Sequence, residues 1–263
     1  MEYTILLISS LSLYAVTAFI LFFNKVKNKG LASFTLISAL IAHASLVYIT
    51  TILNNINLNF ANSLLLLSWV TVLFYYLINR KMQFIGLENL TITPAILIIL
   101  CHPLLPNDQY LEIQMSLNSI VHIIIAILSY SLLTIGALFS IFILLFEKNL
   151  TKQHKDIGNL TSNFSLLKME DVLFKIYWLG FILLSITLFS GLLFSSEIFG
   201  SSLVWNHKTI FSFMAWVIYG AMLIGRFKYG WRGEKAVIIS LIAFTFLLLS
   251  YFGTKFVLEV LLS

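Results

Sequence analysis

Long apolar runs recur along almost the whole chain and are separated by short polar segments. Each run is long enough for a helix to cross the roughly 30 Å hydrocarbon core of a bilayer. Only 10% of the 263 residues are charged, whereas soluble domains carry roughly 25%. We therefore predict an all-α, polytopic integral membrane protein, with about eight transmembrane helices in one bundle and one domain over residues 1–263. The predicted spans are 3–23, 31–53, 61–78, 90–104, 116–146, 172–195, 209–227 and 235–262.

Two of these spans have unusual lengths. The fourth contains Pro94 and stops at a turn between Pro103 and Pro106, so we expect it to be short or kinked. The fifth exceeds the length that a bilayer needs, and we expect it to extend into the cytoplasm.

Basic residues fall mainly on one side of the membrane in this arrangement. Of the 16 Lys and Arg residues, only Lys208 and Lys255 lie opposite the rest. The positive-inside rule makes the basic side cytoplasmic, so both termini are expected outside the cytoplasm. Arg226, Lys228 and Arg232 are then orientation determinants. The first span is interpreted as a retained helix, because its flank is acidic rather than basic.

Several function classes do not fit this sequence. The basic residues are scattered among loops, which disfavours nucleic-acid binding. The single cysteine, Cys101, excludes an internal disulfide or a paired-cysteine haem attachment motif. Scarce carboxylates within the spans argue against ion-coupled transport. We find no nucleophile elbow, phosphate loop or carboxylate pair, so we do not expect an enzyme.

His122 and His207 are the polar residues most suggestive of a site. His122 lies about two turns inside the fifth span, with Ser129 and Tyr130 on about the same helical face. His207 lies just before the seventh span, close to Trp205. Both histidines could reach one outward-facing cavity, where neutral imidazoles are suitable axial ligands for haem iron. Alternatively, His207 is solvated and Trp205 is an ordinary interface anchor; spacing alone favours this alternative.

The other histidines are interpreted by their depth. His154 lies in the loop after the fifth span and is expected to be solvated. His102 ends the fourth span, where hydrogen bonding at a helix end explains it. His43 lies near the middle of the second span, and both close helix packing and a functional role are open for it.

The segment from 198 to 253 carries a pattern of aromatic, basic and glycine residues. The pattern consists of Gly200, Trp205, Lys208, Trp216, Arg226, Gly230-Trp231-Arg232-Gly233 and Tyr251-Phe252-Gly253. It is similar to the tryptophan-rich signature of the CcsA/CcmC/CcmF superfamily, membrane haem-handling proteins of cytochrome c assembly. It is most like the small bacterial inner-membrane branch called YpjD. His122 with Ser129-Tyr130 resembles the family's histidine helix, and His43 resembles a membrane-embedded family histidine.

The resemblance implies a function and a site. It implies a bacterial inner-membrane protein that binds or presents haem at an outward-facing pocket, with other membrane assembly proteins as partners. His122 and His207 would be the metal ligands, and Trp205 and His43 would be further cofactor-binding residues. Lys208 would neutralise a haem propionate.

Departures from the signature keep a second interpretation open. Phe199 and Leu203 replace signature tryptophans, and Ile224 replaces a histidine. Asn206 stands in place of an aspartate, and His207 in place of a proline. The alternative is a membrane assembly or regulatory partner that retains the fold without binding haem.

Overall fold

Eight long helices make up most of the part of the chain that the structure describes. The structure is a computed structural model that describes residues 2–23, 29–53, 56–82, 86–106, 116–152, 166–193 and 206–261. Each helix is long and apolar enough to cross a membrane, which confirms the predicted fold class. The helices are α1 (Glu2–Phe23), α2 (Lys29–Thr51), α3 (Phe60–Met82), α4 (Leu87–Cys101), α5 (Leu117–Lys152), α6 (Leu166–Leu193), α7 (His207–Tyr229) and α8 (Gly233–Leu261).

Polar side chains within these helices bond back to their own backbone. Ser10, Thr17 and Thr71 each donate a hydrogen bond to the carbonyl oxygen four residues earlier. This local bond satisfies a hydroxyl without a partner on another helix. In a bilayer every buried polar group needs a hydrogen-bond partner within the protein, since the hydrocarbon core offers no water.

The two unusual spans have the predicted lengths, and the extension of α5 into the cytoplasm stays a prediction. α4 is only 15 residues long, contains Pro94, and is followed by a single 3₁₀ turn, His102–Leu104. α5 has 36 residues, which at 1.5 Å per residue extends for about 54 Å. The prediction for the start of the sixth span was wrong, since α6 begins at Leu166 rather than at residue 172.

The chain divides into two compact units, which are described separately. The first unit comprises Met1–Gln114 and Lys255–Ser263. In it, α1 packs against α2 and α4, and α3 packs against the same two helices, so the four helices form a closed ring. Whether one functional domain covers residues 1–263 stays a prediction.

The second unit, Met115–Thr254, is also a ring of four helices. α5 packs against α6 and α8, and α7 packs against the same two helices. α5 and α6 approach closely at Gly136, where a Cβ atom would lie 2.7 Å from the Tyr177 ring. The Tyr177 hydroxyl is 2.9 Å from both Ser140 Oγ and Ser240 Oγ, so buried hydroxyls link α5, α6 and α8.

Candidate functional site

The structure describes three of the four predicted site residues. His122 and His207 belong to the second unit, and His43 belongs to the first. Trp205 lies outside the described residues, as do Phe199, Gly200 and Leu203. The site is therefore built from the histidines and their neighbours.

His122 is held by a hydrogen bond from α5 to α6. Its Nδ1 atom lies 2.8 Å from Ser190 Oγ, and Ser190 in turn donates its hydroxyl proton to the Thr187 carbonyl oxygen at 3.1 Å. A serine hydroxyl has only one proton, so when Ser190 gives that proton to Thr187, Ser190 Oγ accepts from His122 Nδ1–H. In that tautomer Nε2 is the ring atom able to ligate a metal.

A glycine on α6 makes room for the same ring. A Cβ atom at Gly191 would lie 3.3 Å from His122 Cε1, a tight contact for a carbon atom. Gly191 and Ser190 are adjacent, so one segment of α6 both admits the imidazole and orients it.

The start of α7 lies beside His122. Lys208 is close enough to His122 to interact with it electrostatically, and its Nζ atom is 5.3 Å from the centre of the Tyr251 ring. His207, the preceding residue, is the first residue of α7 and is exposed. Both predicted ligands thus belong to the same end of the second unit.

Asn206 fixes where α7 begins. Its Oδ1 atom accepts hydrogen bonds from the backbone N–H and the hydroxyl of Thr209, both at 3.0 Å. Asparagine and aspartate are both good helix caps, because either side-chain oxygen accepts from the first turn. The replacement of the signature aspartate by Asn206 therefore retains a capping group at this position.

A cluster of hydroxyls crosses the second unit deeper along the helices. Tyr130 Oη lies 2.8 Å from Ser250 Oγ, which is 2.7 Å from Ser212 Oγ. These three residues link α5, α8 and α7. Tyr130 is about 12 Å further along α5 than His122, so the cluster fixes the helices below the His122 end. Ser129, the other residue predicted on this face, donates to the Gly180 carbonyl oxygen at 3.1 Å and joins α5 to α6.

His43 is fully buried in the first unit, with 0% exposure. Its Nδ1 atom is 3.1 Å from Tyr14 Oη, and the two rings meet edge to face, with centroids 5.7 Å apart. The Leu65 backbone lies beside the ring, yet no group in the described part of the chain has hydrogen-bond geometry to Nε2. His43 of α2 therefore packs between Tyr14 of α1 and the Leu65 backbone of α3.

His102 uses both of its ring nitrogens. Nε2 lies 3.0 Å from Asn62 Oδ1 and Nδ1 lies 2.8 Å from Tyr3 Oη. The Asn62 amide nitrogen donates to two backbone carbonyl oxygens, those of Thr50 and Asn57, which leaves Oδ1 as an acceptor. His102 therefore donates through Nε2 and accepts through Nδ1. Its predicted role as a hydrogen-bonding residue is confirmed, and the ring is buried, with 1% exposure.

A metal ion can also be held by three or more side chains, which is a different kind of site from a haem centre. No such group of His, Cys, Asp or Glu occurs among the residues that the structure describes. A haem iron takes only one or two protein ligands, so a histidine pair is the relevant arrangement here.

Comparison with known proteins identifies the family. The family described as cytochrome C assembly protein matches residues 57–262. The chain belongs to this family. The match includes His122, His207 and Trp205, whereas His43 precedes it.

Individual relatives in the cytochrome c assembly family agree with this assignment. The chain is 29% identical over 227 residues to the cytochrome c biogenesis protein CcsA of Prochlorococcus marinus, covering 75% of this chain and 72% of that protein. It is 31% identical over 138 residues to CcsA of Chlamydomonas reinhardtii, covering 52% and 38%. It is 27% identical over 157 residues to the inner membrane protein YpjD of Escherichia coli, covering 60% and 58%. The predicted family and its YpjD branch are thus supported, and no solved structure matches the chain.

Proposed function

We propose that this protein takes part in cytochrome c assembly by binding or presenting haem, with His122 as an axial ligand. The observation that carries the proposal is the 2.8 Å contact between His122 Nδ1 and Ser190 Oγ, which joins α5 to α6 and orients the imidazole. A hydrogen-bond partner of this kind at one ring nitrogen makes an imidazole a better metal ligand through the other. The names of the CcsA relatives, cytochrome c biogenesis proteins, support the biological role.

The residues around His122 suit a haem group. A bound haem supplies an iron atom with two axial positions and two anionic propionates. His207 is the candidate for the second axial position, because it adjoins Lys208 at the same end of the second unit. Lys208 carries the positive charge that a propionate requires. Trp205, two residues before His207, is proposed as an aromatic contact.

His43 is a second candidate contact with haem. It is buried beside Tyr14, and its Nε2 atom has no hydrogen-bond partner among the described residues. Since it lies in the first unit, we treat it as a separate position from the His122 end.

We propose that the His122 end faces away from the cytoplasm in a bacterial inner membrane. Lys208 is one of only two basic residues predicted on that side, and most other basic residues would lie on the opposite side. Both chain termini would then also lie outside the cytoplasm. The bilayer, haem and other membrane assembly proteins are the expected partners.

Haem content is the direct test. Full-length protein is purified in detergent, loaded with haem, and compared with a His122→Ala/His207→Ala double variant. We expect the wild type to show Soret and α/β bands, and the double variant to lose most of its haem. His154→Ala removes a histidine predicted to be solvated and serves as the control. Identical spectra for the wild type and the double variant would show that the site is wrong.

The alternative is a membrane assembly or regulatory partner that retains the fold without binding haem. The exposure of His207 and the replaced signature tryptophans favour this alternative. If this alternative holds, the wild-type protein is colourless as purified and takes up no haem on loading.

A further inference from the structure

The turn between α7 and α8 carries an exposed set of aromatic and basic side chains. Phe227 is 86% exposed and Tyr229 is 73% exposed, and three basic residues beside them are also exposed. We call this set the turn patch. It consists of Phe227, Lys228, Tyr229, Trp231, Arg232 and Lys235.

The turn patch lies where two membrane spans meet the water. One candidate span ends at Tyr229 and the next begins at Gly233, so the residues between them emerge at one membrane surface. Tryptophan and tyrosine rings, such as those of Trp231 and Tyr229, are favoured at this depth because they have an apolar body and a polar edge. Basic side chains there lie at the level of the lipid phosphates.

The aromatic part of the turn patch is held in one arrangement. The Trp231 backbone N–H donates to the Gly225 carbonyl oxygen at 3.2 Å. The Trp231 ring covers Gly225 so closely that a Cβ atom there would lie 2.2 Å from it. The Tyr229 ring stacks on the Trp231 ring, with centroids 6.3 Å apart. A preformed surface loses less side-chain entropy when it binds a ligand.

One cation of the turn patch contacts the same ring. Lys235 Nζ lies 4.2 Å from the centre of the Trp231 ring, within the range of a cation–π contact. This contact favours a position of the ammonium group beside the aromatic surface.

Neighbouring charges leave the turn patch with a positive balance. Arg226 is engaged elsewhere, 3.7 Å from a Glu170 oxygen and 3.4 Å from an Asp171 oxygen. The exposed Glu234 is an opposing charge next to the turn patch. Four cations, Arg226 included, therefore face three carboxylates, Glu170, Asp171 and Glu234. The turn and its neighbours keep a net charge of +1, which suits a singly charged anionic ligand.

We propose that the turn patch binds the headgroup of an anionic phospholipid. The ammonium of Lys235, held over Trp231, contacts the lipid phosphate, while Lys228 and Arg232 supply further positive charge. The proposal is independent of haem, because α7 has 23 residues and its two ends are about 34 Å apart.

Lipid retention by the full-length protein tests the proposal. The protein is purified in detergent, incubated with phosphatidylglycerol or with phosphatidylcholine of the same acyl chains, and analysed by native mass spectrometry. We expect more phosphatidylglycerol than phosphatidylcholine to be retained, and 0.5 M NaCl to reduce that preference.

Two single substitutions separate a defined site from general positive charge. Lys235→Gln removes the ammonium over Trp231, and we expect about fivefold weaker retention of phosphatidylglycerol. Lys175→Gln removes an exposed lysine of α6, and we expect less than a twofold change. Equal retention of the two lipids by the wild type would overturn the proposal. So would an equal effect of the two substitutions, including no effect of either.

Discussion

The Nδ1 atom of His122 lies 2.8 Å from Ser190 Oγ, and this contact joins α5 to α6. The contact orients the imidazole, and Ser190 is itself tied to the Thr187 carbonyl oxygen of α6. Ser190 is therefore a positioning residue for the proposed haem ligand.

Ser190→Ala is expected to weaken haem binding about tenfold, since loss of a partner of this kind commonly lowers metal affinity by 10–100-fold. Haem titration followed by absorbance would measure the affinity. Ser190→Thr retains the hydroxyl and should preserve most of the binding. Ser45→Ala removes a hydroxyl that bonds only within α2 and is the matched control. Equal affinities for wild type and Ser190→Ala would contradict the assignment.

Asn62→Ala is expected to destabilise the protein without altering its haem spectrum. It removes the acceptor of His102 Nε2–H and two bonds to carbonyl oxygens, and each buried group left unsatisfied costs about 1–3 kcal/mol. Thermal unfolding in detergent would show a lower midpoint. The exposed Ser12, which bonds only to Ser9, gives a control in Ser12→Ala. A changed Soret band in folded Asn62→Ala would mean that His102 is part of the haem site.

Substitutions at Glu170 should destabilise the protein in a graded order. Glu170 Oε1 accepts from the Gly233 backbone N–H at 2.8 Å, and Arg226 lies near the other oxygen. Glu170→Gln keeps an acceptor for Gly233, whereas Glu170→Ala leaves that N–H unpaired and costs about 1–3 kcal/mol. Asp171→Asn, which affects an exposed ion pair, should cost less than about 1 kcal/mol. Unfolding midpoints measured in detergent would rank the three variants. A lower midpoint for Glu170→Gln than for Glu170→Ala would refute this account of Glu170.

Gly225→Ala is expected to destabilise the turn between α7 and α8. The new Cβ atom would meet the Trp231 ring at 2.2 Å, and such overpacking typically costs about 1–3 kcal/mol. Gly30→Ala, where no atom lies within 4 Å of the new Cβ, is the control. A Gly225→Ala/Trp231→Leu double variant should recover part of the loss in unfolding midpoint. A wild-type midpoint in Gly225→Ala would show that Trp231 moves aside freely.

The sequence predicted the transmembrane helices well, because their apolar length is a local property. The start of α6 was missed because Lys168, Glu170 and Asp171 occur within its first turns. A hydropathy profile assigns a segment with this many charged residues to a loop. In the structure Glu170 is accommodated by the Gly233 backbone and by Arg226, and neither contact follows from local sequence.

The candidate site was only partly predictable for the same reason. Helical periodicity placed Ser129 and Tyr130 on about the same face of α5 as His122. The structure shows Ser129 bonded to α6 and Tyr130 bonded to Ser250 of α8. Periodicity gave no means of finding Ser190, which lies 68 residues from His122 in the chain and depends on how α5 and α6 align. A serine beside Gly191 in an apolar helix was the available signal, since small and polar residues mark close helix contacts.

The most direct test of the account is rescue of a His122→Gly variant with free imidazole. In the ferric wild type we predict a low-spin haem spectrum that imidazole does not change. His122→Gly should lose this spectrum and recover it when imidazole fills the vacated ligand position. A His122→Gly spectrum identical to wild type, or one that imidazole does not restore, would contradict axial ligation by His122.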